Sequence, residues 1–258
     1  MNCLEKDLKE RLKRKPILLM THLILGYPSF EVNREVIRHM AENGVDCIEL
    51  QIPFSEPIAD GPVILKAGQQ SLGNGTRVED CLRFGEEMAK AWPQVHFLFM
   101  SYCNILYQYG ERAFLERCRD IGFCGNIIAD LPPEEGASYI ASSRELGLSP
   151  IPFFAPTSTP ERLKAMGQHG EGFVYCVARR GVTGKHTEID AGISEYLGRC
   201  RKATSLPLAV GFGISSRADV RQLTGKADMA VIGTATIKLV DAEGAAAVGP
   251  YIAGLLQD

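Results

Sequence analysis

The sequence predicts an α/β protein in which eight parallel strands alternate with helices and close into a barrel. Apolar strand-like runs alternate with segments of helical periodicity from one end of the chain to the other. Several junctions from a helix to a strand share one feature, which is a glycine between the two elements. The length of 258 residues suits eight β/α units, which together take about 250 residues. We therefore expect one TIM-barrel domain that spans residues 1–258.

Eight apolar runs have the composition of buried parallel strands. They are Ile17–Leu25, Cys47–Ile52, Val95–Tyr102, Asn126–Asp130, Ser149–Ala155, Gly172–Ala178, Leu206–Gly211 and Met229–Gly233. A doubly wound open sheet is the alternative arrangement, but it usually has fewer strands for a chain of this length.

The segments between the strands have helical periodicity. In residues 29–43, 76–90 and 189–201 the apolar positions recur every three or four residues, which places them on one helix face. Thr76-x-x-Glu79 has the spacing of an N-terminal capping box. Thr159-Pro160 is typical of a helix start, with a capping threonine followed by proline.

Three junctions place a glycine between the end of a helix and the start of a strand. Glycine at this position adopts the left-handed conformation that ends a helix. The junctions are Asn43-Gly44-Val45, Ile121-Gly122-Phe123 and Leu146-Gly147-Leu148.

The first fifteen residues predict an extra N-terminal helix. Leu4, Leu8 and Leu12 fall on one side of it. The segment is rich in Lys and Glu and lacks the apolar centre of a signal peptide. We expect residues 1–15 to pack on the barrel.

Composition excludes several classes of partner. The net charge of −3 argues against nucleic acid and anionic membranes, and no apolar run has the length of a membrane span. The eight cysteines form no Cys-x-x-Cys pair, and most lie in apolar strands or helix faces. They predict reduced core residues in a cytoplasmic protein, with neither a metal site nor a catalytic thiol.

Two carboxylates stand out in the second predicted strand and the loop that follows it. Glu49 lies inside the apolar run Val45–Ile52, where burial penalises its charged form and raises its pKa. Pro53 and Pro57 stiffen the loop that carries Asp60. A raised pKa suits a general acid/base. The alternative is a structural carboxylate that pairs with arginine or caps a helix. In a barrel, loops that follow the strands form the active face, and this placement favours catalysis.

Glycines follow the last two predicted strands. Gly211-Phe212-Gly213-Ile214-Ser215 precedes a helix that starts near Ser216, and Gly233-Thr234 precedes a short helix at Ala235–Leu239. Glycine N–H groups and helix N-termini bind anions, and these two loops commonly hold phosphate in barrels. Plain turn glycines are the alternative.

Residues Arg179–Lys185 follow the sixth predicted strand. Their glycines and basic side chains are typical of a mobile lid over a phosphorylated substrate. A solvated basic loop is the alternative. The P-loop spacing is absent, so nucleotide binding is not indicated.

The motifs resemble those of the tryptophan synthase α-subunit family, whose fold is a TIM barrel, over essentially the whole length. They are Leu25-Gly26-x-Pro28, Glu49-Leu50, Ile52-Pro53-Phe54-Ser55, Pro57-x-Ala59-Asp60-Gly61-Pro62, Tyr102-x-Asn104, Asp130-Leu131-Pro132-x-Glu134-Glu135, Ala155-Pro156-Thr157-x-Thr159-Pro160-Glu161-Arg162, Arg179-x-Gly181-Val182-Thr183-Gly184 and Gly211-Phe212-Gly213-Ile214-Ser215. Gln51 stands where the family usually has glycine, and His22 where it usually has an aromatic residue.

The resemblance implies a carbon–carbon lyase, which cleaves indole-3-glycerol phosphate to indole and glyceraldehyde 3-phosphate in L-tryptophan biosynthesis. Glu49 then corresponds to the acid/base residue, Asp60 to the residue that accepts the indole N–H, and Thr183 to the residue that ties the closed lid to Asp60. The other implied substrate-binding residues are Tyr175 near the substrate, Tyr102, Ile127 and Phe212 around the indole ring, and Gly184, Gly213, Gly233 and Thr234 at the phosphate.

The resemblance also implies a partner. The family works in an α2β2 complex, in which a β subunit carries pyridoxal phosphate and receives indole, while the α chain binds no cofactor or metal. Two alternatives stay open. One is a lyase that acts alone and releases indole, and the other is a weakly catalytic regulatory partner of a β subunit.

Overall fold

The computed structural model describes residues 3–177, 191–211 and 213–256. The strand segments are β1 (Leu18–Ile24), β2 (Cys47–Gln51), β3 (His96–Ser101), β4 (Gly125–Ile128), β5 (Ser149–Pro150), β6 (Phe153–Phe154), β7 (Val174–Val177), β8 (Leu208–Gly211) and β9 (Met229–Ile232). The helices are α1 (Cys3–Arg11), α2 (Phe30–Glu42), α3 (Pro62–Gly73), α4 (Val78–Ala91), α5 (Cys103–Tyr109), α6 (Glu111–Asp120), α7 (Ala137–Glu145), α8 (Pro160–His169), α9 (Ala191–Ala203), α10 (Arg217–Leu223), α11 (Thr234–Glu243) and α12 (Val248–Leu256), with a short 3₁₀ turn at Ala245–Ala247.

The strands form one closed parallel sheet. Their order is β5-β4-β3-β2-β1-β9-β8-β7-β6, and all the strand pairs are parallel. The two ends of that order, β5 and β6, follow each other in the chain, and β1 pairs with β9. The predicted barrel is confirmed, and the open sheet was the wrong alternative.

The fifth predicted strand is two short segments rather than one. β5 pairs with β4, and β6 pairs with β7. Pro150 and Pro152 cannot donate to a ladder, so one continuous strand cannot hydrogen-bond along both edges here. The Ile151 N–H donates to the Asn126 carbonyl at 3.3 Å, and the Pro152 carbonyl accepts from the Tyr175 N–H at 2.9 Å. These two hydrogen bonds connect the residues between β5 and β6 to the neighbouring strands on both sides.

The predicted capping box at Thr76 and Glu79 is wrong by one residue. Helix α4 begins at Val78, and its capping residue is Arg77, whose N–H donates to Asp80 Oδ2 at 3.0 Å. The Thr76 hydroxyl lies against Gly26, where an added Cβ would come within 2.3 Å of it. Because Thr76 packs on this glycine and does not cap the helix, α4 begins one residue later than the capping box predicts, at Val78. Helix α11, at Thr234–Glu243, is longer than the predicted Ala235–Leu239.

The three predicted glycine junctions and the predicted start at Thr159-Pro160 are confirmed. Gly44, Gly122 and Gly147 have φ of +85°, +86° and +74°, which is the left-handed conformation that favours glycine. Thr159 caps α8 by accepting from the Arg162 N–H at 3.2 Å.

Alternate residues of the strands point into the barrel, and α1 closes its N-terminal end. Leu4 and Leu8 are fully buried in the barrel interior. Asp7 Oδ2 lies 2.6 Å from His96 Nε2 at the start of β3. Arg11 reaches Asp46, the residue before β2. The strand residues in this interior cluster include Leu18, Met20, Cys47, Leu98, Met100, Ile127, Ala209, Met229 and Val231, and Phe173, just before β7, joins them.

We predict that Leu8→Ala lowers the free energy of unfolding by about 2–5 kcal/mol, because it leaves a cavity in the barrel interior. Urea unfolding followed by circular dichroism measures the change. Lys6→Ala, at an exposed position of the same helix, is the matched control and should change stability by less than about 0.5 kcal/mol. Equal stability of both variants would contradict the role of α1 as a closing element.

Candidate active site

Glu49 lies on β2 and points into the barrel. It pairs in register with Leu98, an interior residue, and only 2% of its surface is exposed. Burial raises its pKa to about 8, and the negative charge of Asp60 adds to the effect. Glu49 Oε2 has no hydrogen-bond partner among the described residues. A buried, largely protonated carboxyl with a free oxygen is suited to carry a proton to a ligand.

Tyr175 on β7 contacts Glu49 from across the barrel. Its hydroxyl donates to Glu49 Oε1 at 3.5 Å. Burial and the two nearby carboxylates raise the pKa of Tyr175 well above its usual value, so the hydroxyl keeps its proton. Gly211 makes room for this ring, because a Cβ there would lie 3.1 Å from the Tyr175 hydroxyl. The sequence places this glycine in a candidate anion-binding loop, which stays a prediction, and the structure shows a steric role for it.

Asp60 lies on the loop between β2 and α3 and turns back into the barrel. It is 8% exposed. Its Oδ2 accepts from Gln51 Nε2 at 2.6 Å and from the Tyr102 hydroxyl at 2.9 Å. Both bonds use Oδ2, and neither occupies Oδ1. The structure thus brings Asp60 and Glu49 to one end of the barrel, where the charge of Asp60 acts on Glu49.

Tyr102 fixes the loop that carries Asp60. Its hydroxyl also accepts from the Ala59 N–H at 3.2 Å, and its ring stacks on Phe54 with centroids 5.2 Å apart. The loop backbone closes with a bond from the Asp60 N–H to the Pro57 carbonyl at 3.0 Å. Tyr102 is fully buried, and these contacts hold the loop that carries Asp60. The wall position predicted for Tyr102 around the indole ring stays a prediction.

The predicted phosphate residues follow the last two strands. Gly213 lies just beyond β8 with φ +83°, and β8 pairs with β9. Gly233 caps the N-terminus of α11, and Thr234 is the first residue of that helix. These backbone N–H groups lie at the carboxyl ends of neighbouring strands, as an anion site requires.

The remaining predicted site residues divide into two groups. Ile127 on β4 is fully buried in the barrel interior. Phe212, Thr183 and Gly184 lie outside the described residues, as does the predicted lid Arg179–Lys185. Within the described ranges, no group of three or more His, Cys, Asp or Glu side chains could hold a metal ion, and no helix has the length and apolarity needed to cross a membrane.

His22 is a polar residue of the site that sequence reasoning treated only as a departure from the family pattern. It is 2% exposed, and its Nε2 lies 2.7 Å from Gln51 Oε1. The signal in the sequence is its spacing, since His22 is two residues from the interior Met20 on the same strand. Strand periodicity therefore places His22 on the same face of β1 as Met20.

The fold and the paired carboxylates together define a TIM barrel with two buried carboxyl groups at one end of its interior, which is the end where enzymes of this fold carry their active sites. The family profile described as tryptophan synthase alpha chain matches residues 8–249. A tryptophan synthase alpha chain from Desulfotalea psychrophila is 58% identical over 98% of this chain and 99% of the relative, and one from Syntrophotalea carbinolica is 49% identical over the same shares.

Solved structures agree with the sequence comparison. Tryptophan synthase from M. tuberculosis has a chain that superposes with a TM-score of 0.90 at 30% identity, covering 99% of this chain and 98% of that one. A tryptophan synthase complex from Pyrococcus furiosus gives a TM-score of 0.85 at 29% identity, covering 93% and 97%. The chain belongs to the tryptophan synthase alpha chain family.

Proposed function

We propose that this chain cleaves indole-3-glycerol phosphate by a retro-aldol reaction, with Glu49 as the proton carrier. The observation that carries the proposal is the state of Glu49. Its carboxyl is buried, its pKa is raised to about 8, and Oε2 has no partner in the described part of the chain. Such a group holds a proton at neutral pH and is free to pass it to a ligand.

The chemistry requires two proton transfers at one end of the substrate. Glu49 donates its proton to indole C3, which forms a cationic ring. The side-chain hydroxyl then returns a proton to the Glu49 carboxylate while the bond between C3 and the side chain breaks. The electron pair of that bond restores the neutral indole, and the hydroxyl carbon becomes the aldehyde of glyceraldehyde 3-phosphate. Glu49 ends the cycle protonated, as it began.

Asp60 is proposed to stabilise the cationic ring. Its carboxylate lies at the same end of the barrel as Glu49 and accepts the indole N–H, whose acidity rises when C3 is protonated. A charge that is fixed before the reaction lowers the energy of the charged transition state. The phosphate is proposed to rest on the N–H groups of Gly213, Gly233 and Thr234, with Gly184 and the lid as further contacts.

The partner is proposed to be a β subunit that receives the indole in an α2β2 complex. The loop between β2 and α3 supports this proposal, because Glu56 and Ile58 are exposed while Asp60 on the same loop is buried. Ile58 is 75% exposed. A partner that contacts the loop surface can therefore act on the position of Asp60.

One assay separates the alternatives. Release of indole from indole-3-glycerol phosphate is measured with the chain alone and after addition of a β subunit. A rate that rises by orders of magnitude supports the complex, and a rate that does not change indicates a lyase that acts alone. No cleavage in either condition would refute the proposed reaction and leave the regulatory role.

The raised pKa of Glu49 predicts the pH dependence of cleavage. The free enzyme must hold Glu49 protonated, so kcat/KM should stay level below pH 8 and fall as pH rises through about 8. The decline should approach tenfold for each further pH unit, because one proton is lost. Initial rates at constant ionic strength measure the profile, with circular dichroism as the control for folding. A profile that rises through pH 8 would show that Glu49 starts as a carboxylate base.

A further inference from the structure

A continuous chain of hydrogen bonds crosses the carboxyl end of the barrel. It runs from His22 on β1 to Gln51 on β2, then to Asp60 on the loop, and ends at Tyr102 after β3. The successive distances are 2.7, 2.6 and 2.9 Å. His22 and Gln51 are each 2% exposed, and Asp60 is 8% exposed. Buried polar side chains need hydrogen bonds. Each of these side chains makes at least one within the chain, while His22 Nδ1 has no partner among the described residues.

The direction of every bond in this chain follows from the carboxylate. Asp60 Oδ2 can only accept, so Gln51 must present its amide nitrogen to it. The Gln51 amide oxygen then faces His22 and accepts from His22 Nε2. Burial lowers the pKa of His22 and keeps the ring neutral, so the ring carries its hydrogen on Nε2. The orientation of Gln51 is therefore fixed from both sides.

The chain is anchored on rigid strands. In the parallel pairing of β1 and β2, His22 is opposite Glu49, and Gln51 is opposite Ile24. Glu49 and Gln51 are two residues apart and so point to the same face of β2. The Gln51 amide therefore ties the loop carboxylate to the strand that carries Glu49. Side chains on strands position a site more accurately than a loop backbone does.

We propose that Gln51 and His22 are positioning residues, which hold Oδ2 of Asp60 and thereby set the placement of Oδ1 relative to Glu49. Gln51 holds the carboxylate directly, and His22 holds Gln51. The assignment rests on the proposed function for what Asp60 does to the substrate. The hydrogen bonds are present in the protein without substrate, so their effect on the position of Asp60 can be measured separately from the activity.

Gln51→Met tests the direct contact. Methionine keeps the length of the side chain and removes both polar groups. We expect kcat to fall about tenfold and KM to stay within about twofold, because the Asp60 contact matters most when the ring becomes cationic. His22→Phe keeps a ring but removes the donor, and kcat should fall by about threefold. An unchanged kcat in Gln51→Met would overturn the proposal.

Double variants show whether Gln51 acts through Asp60. In an Asp60→Asn background, Gln51→Met should change the remaining kcat by less than about twofold, because a positioning residue has no effect once its target charge is gone. Likewise, His22→Phe should add nothing to Gln51→Met. Losses that multiply would show that Gln51 acts on the fold or on the substrate directly, and would overturn the proposal.

Thr21→Val is the matched control. Thr21 is adjacent to His22 on β1 and fully buried, and its hydroxyl bonds Met40 Sδ at 3.1 Å outside the barrel interior. The substitution removes one buried polar contact from the same strand without reaching the site. We expect its kcat and KM to equal those of the unmutated chain. We expect thermal unfolding of all the variants to show that the loss of kcat in Gln51→Met is not explained by a loss of stability.

Crystal structures of the unmutated chain and Gln51→Met give a test that needs no activity. We expect the Asp60 carboxylate to leave its position beside β2 in the variant. An Asp60 that stays in place overturns the positioning role, whether or not the chain cleaves substrate. An unmutated chain that releases no indole instead refutes the proposed function, and the crystallographic comparison then decides the positioning role alone.

Discussion

Glu49→Gln is expected to lower the kcat of indole release by about 10³-fold or more, which is at least the size of loss expected when a general acid/base is removed. Glutamine has nearly the same shape as glutamic acid, but its amide can neither donate an acidic proton nor take one back. The proposed reaction needs both transfers from the same group. Steady-state assays of indole formation at pH 7, below the raised pKa of Glu49, measure the loss.

The fold should survive this substitution. Among the described residues, Glu49 makes one long hydrogen bond, at 3.5 Å from the Tyr175 hydroxyl, and an amide carries no charge that burial would penalise. Calorimetric binding of a non-cleavable propyl phosphate analogue of the substrate should therefore persist. Glu42→Gln, the same chemical change on the exposed face of α2, is the control and should keep full activity. Retained cleavage in Glu49→Gln would refute the acid/base assignment.

Asp60→Asn is expected to lower kcat by about 10²-fold, the scale of losing one preorganised electrostatic group. The asparagine amide oxygen can still accept from Gln51 and Tyr102, so the loop should keep its place. What the variant loses is the negative charge that is proposed to stabilise the cationic ring. The ratio of kcat values, with KM measured in the same assays, isolates this contribution.

The same variant should also shift the pH profile. The charge of Asp60 contributes to the raised pKa of Glu49, so removing it lowers that pKa. The fall in kcat/KM should then begin at a lower pH than in the unmutated chain. Asp120→Asn, on the exposed end of α6, is the control and should change neither parameter. An unchanged profile in Asp60→Asn would show that the two carboxylates do not interact.

The strength of the sequence prediction lay in features that are local in the chain. Gly44, Gly122 and Gly147 marked helix ends because a left-handed residue is needed there, whatever surrounds it. The position of Glu49 in an apolar run showed that it would be buried. The family motifs then connected Glu49 and Asp60 to one reaction, and the profile match and full-length relatives confirm the family.

Errors arose in two places, where a second constraint competed with the most obvious local signal. Thr76 has the spacing of a capping residue, but its hydroxyl packs on Gly26, fifty residues earlier in the chain. The run Ser149–Ala155 is largely apolar, yet its prolines divide it into one segment that pairs with β4 and one that pairs with β7. The first error came from a contact that forms only in the assembled barrel, and the second from prolines whose effect on pairing the apolar run concealed.

The carboxylate pair shows what each level of structure decided. The sequence by itself determined that Glu49 would be buried on a strand and that Asp60 would follow on a proline-stiffened loop, since composition and strand spacing are properties of neighbours in the chain. Only the tertiary structure decided that Gln51, His22 and Tyr102 hold Asp60 beside Glu49. That arrangement depends on the register of three adjacent strands and on the return of the loop into the barrel, which no local pattern encodes.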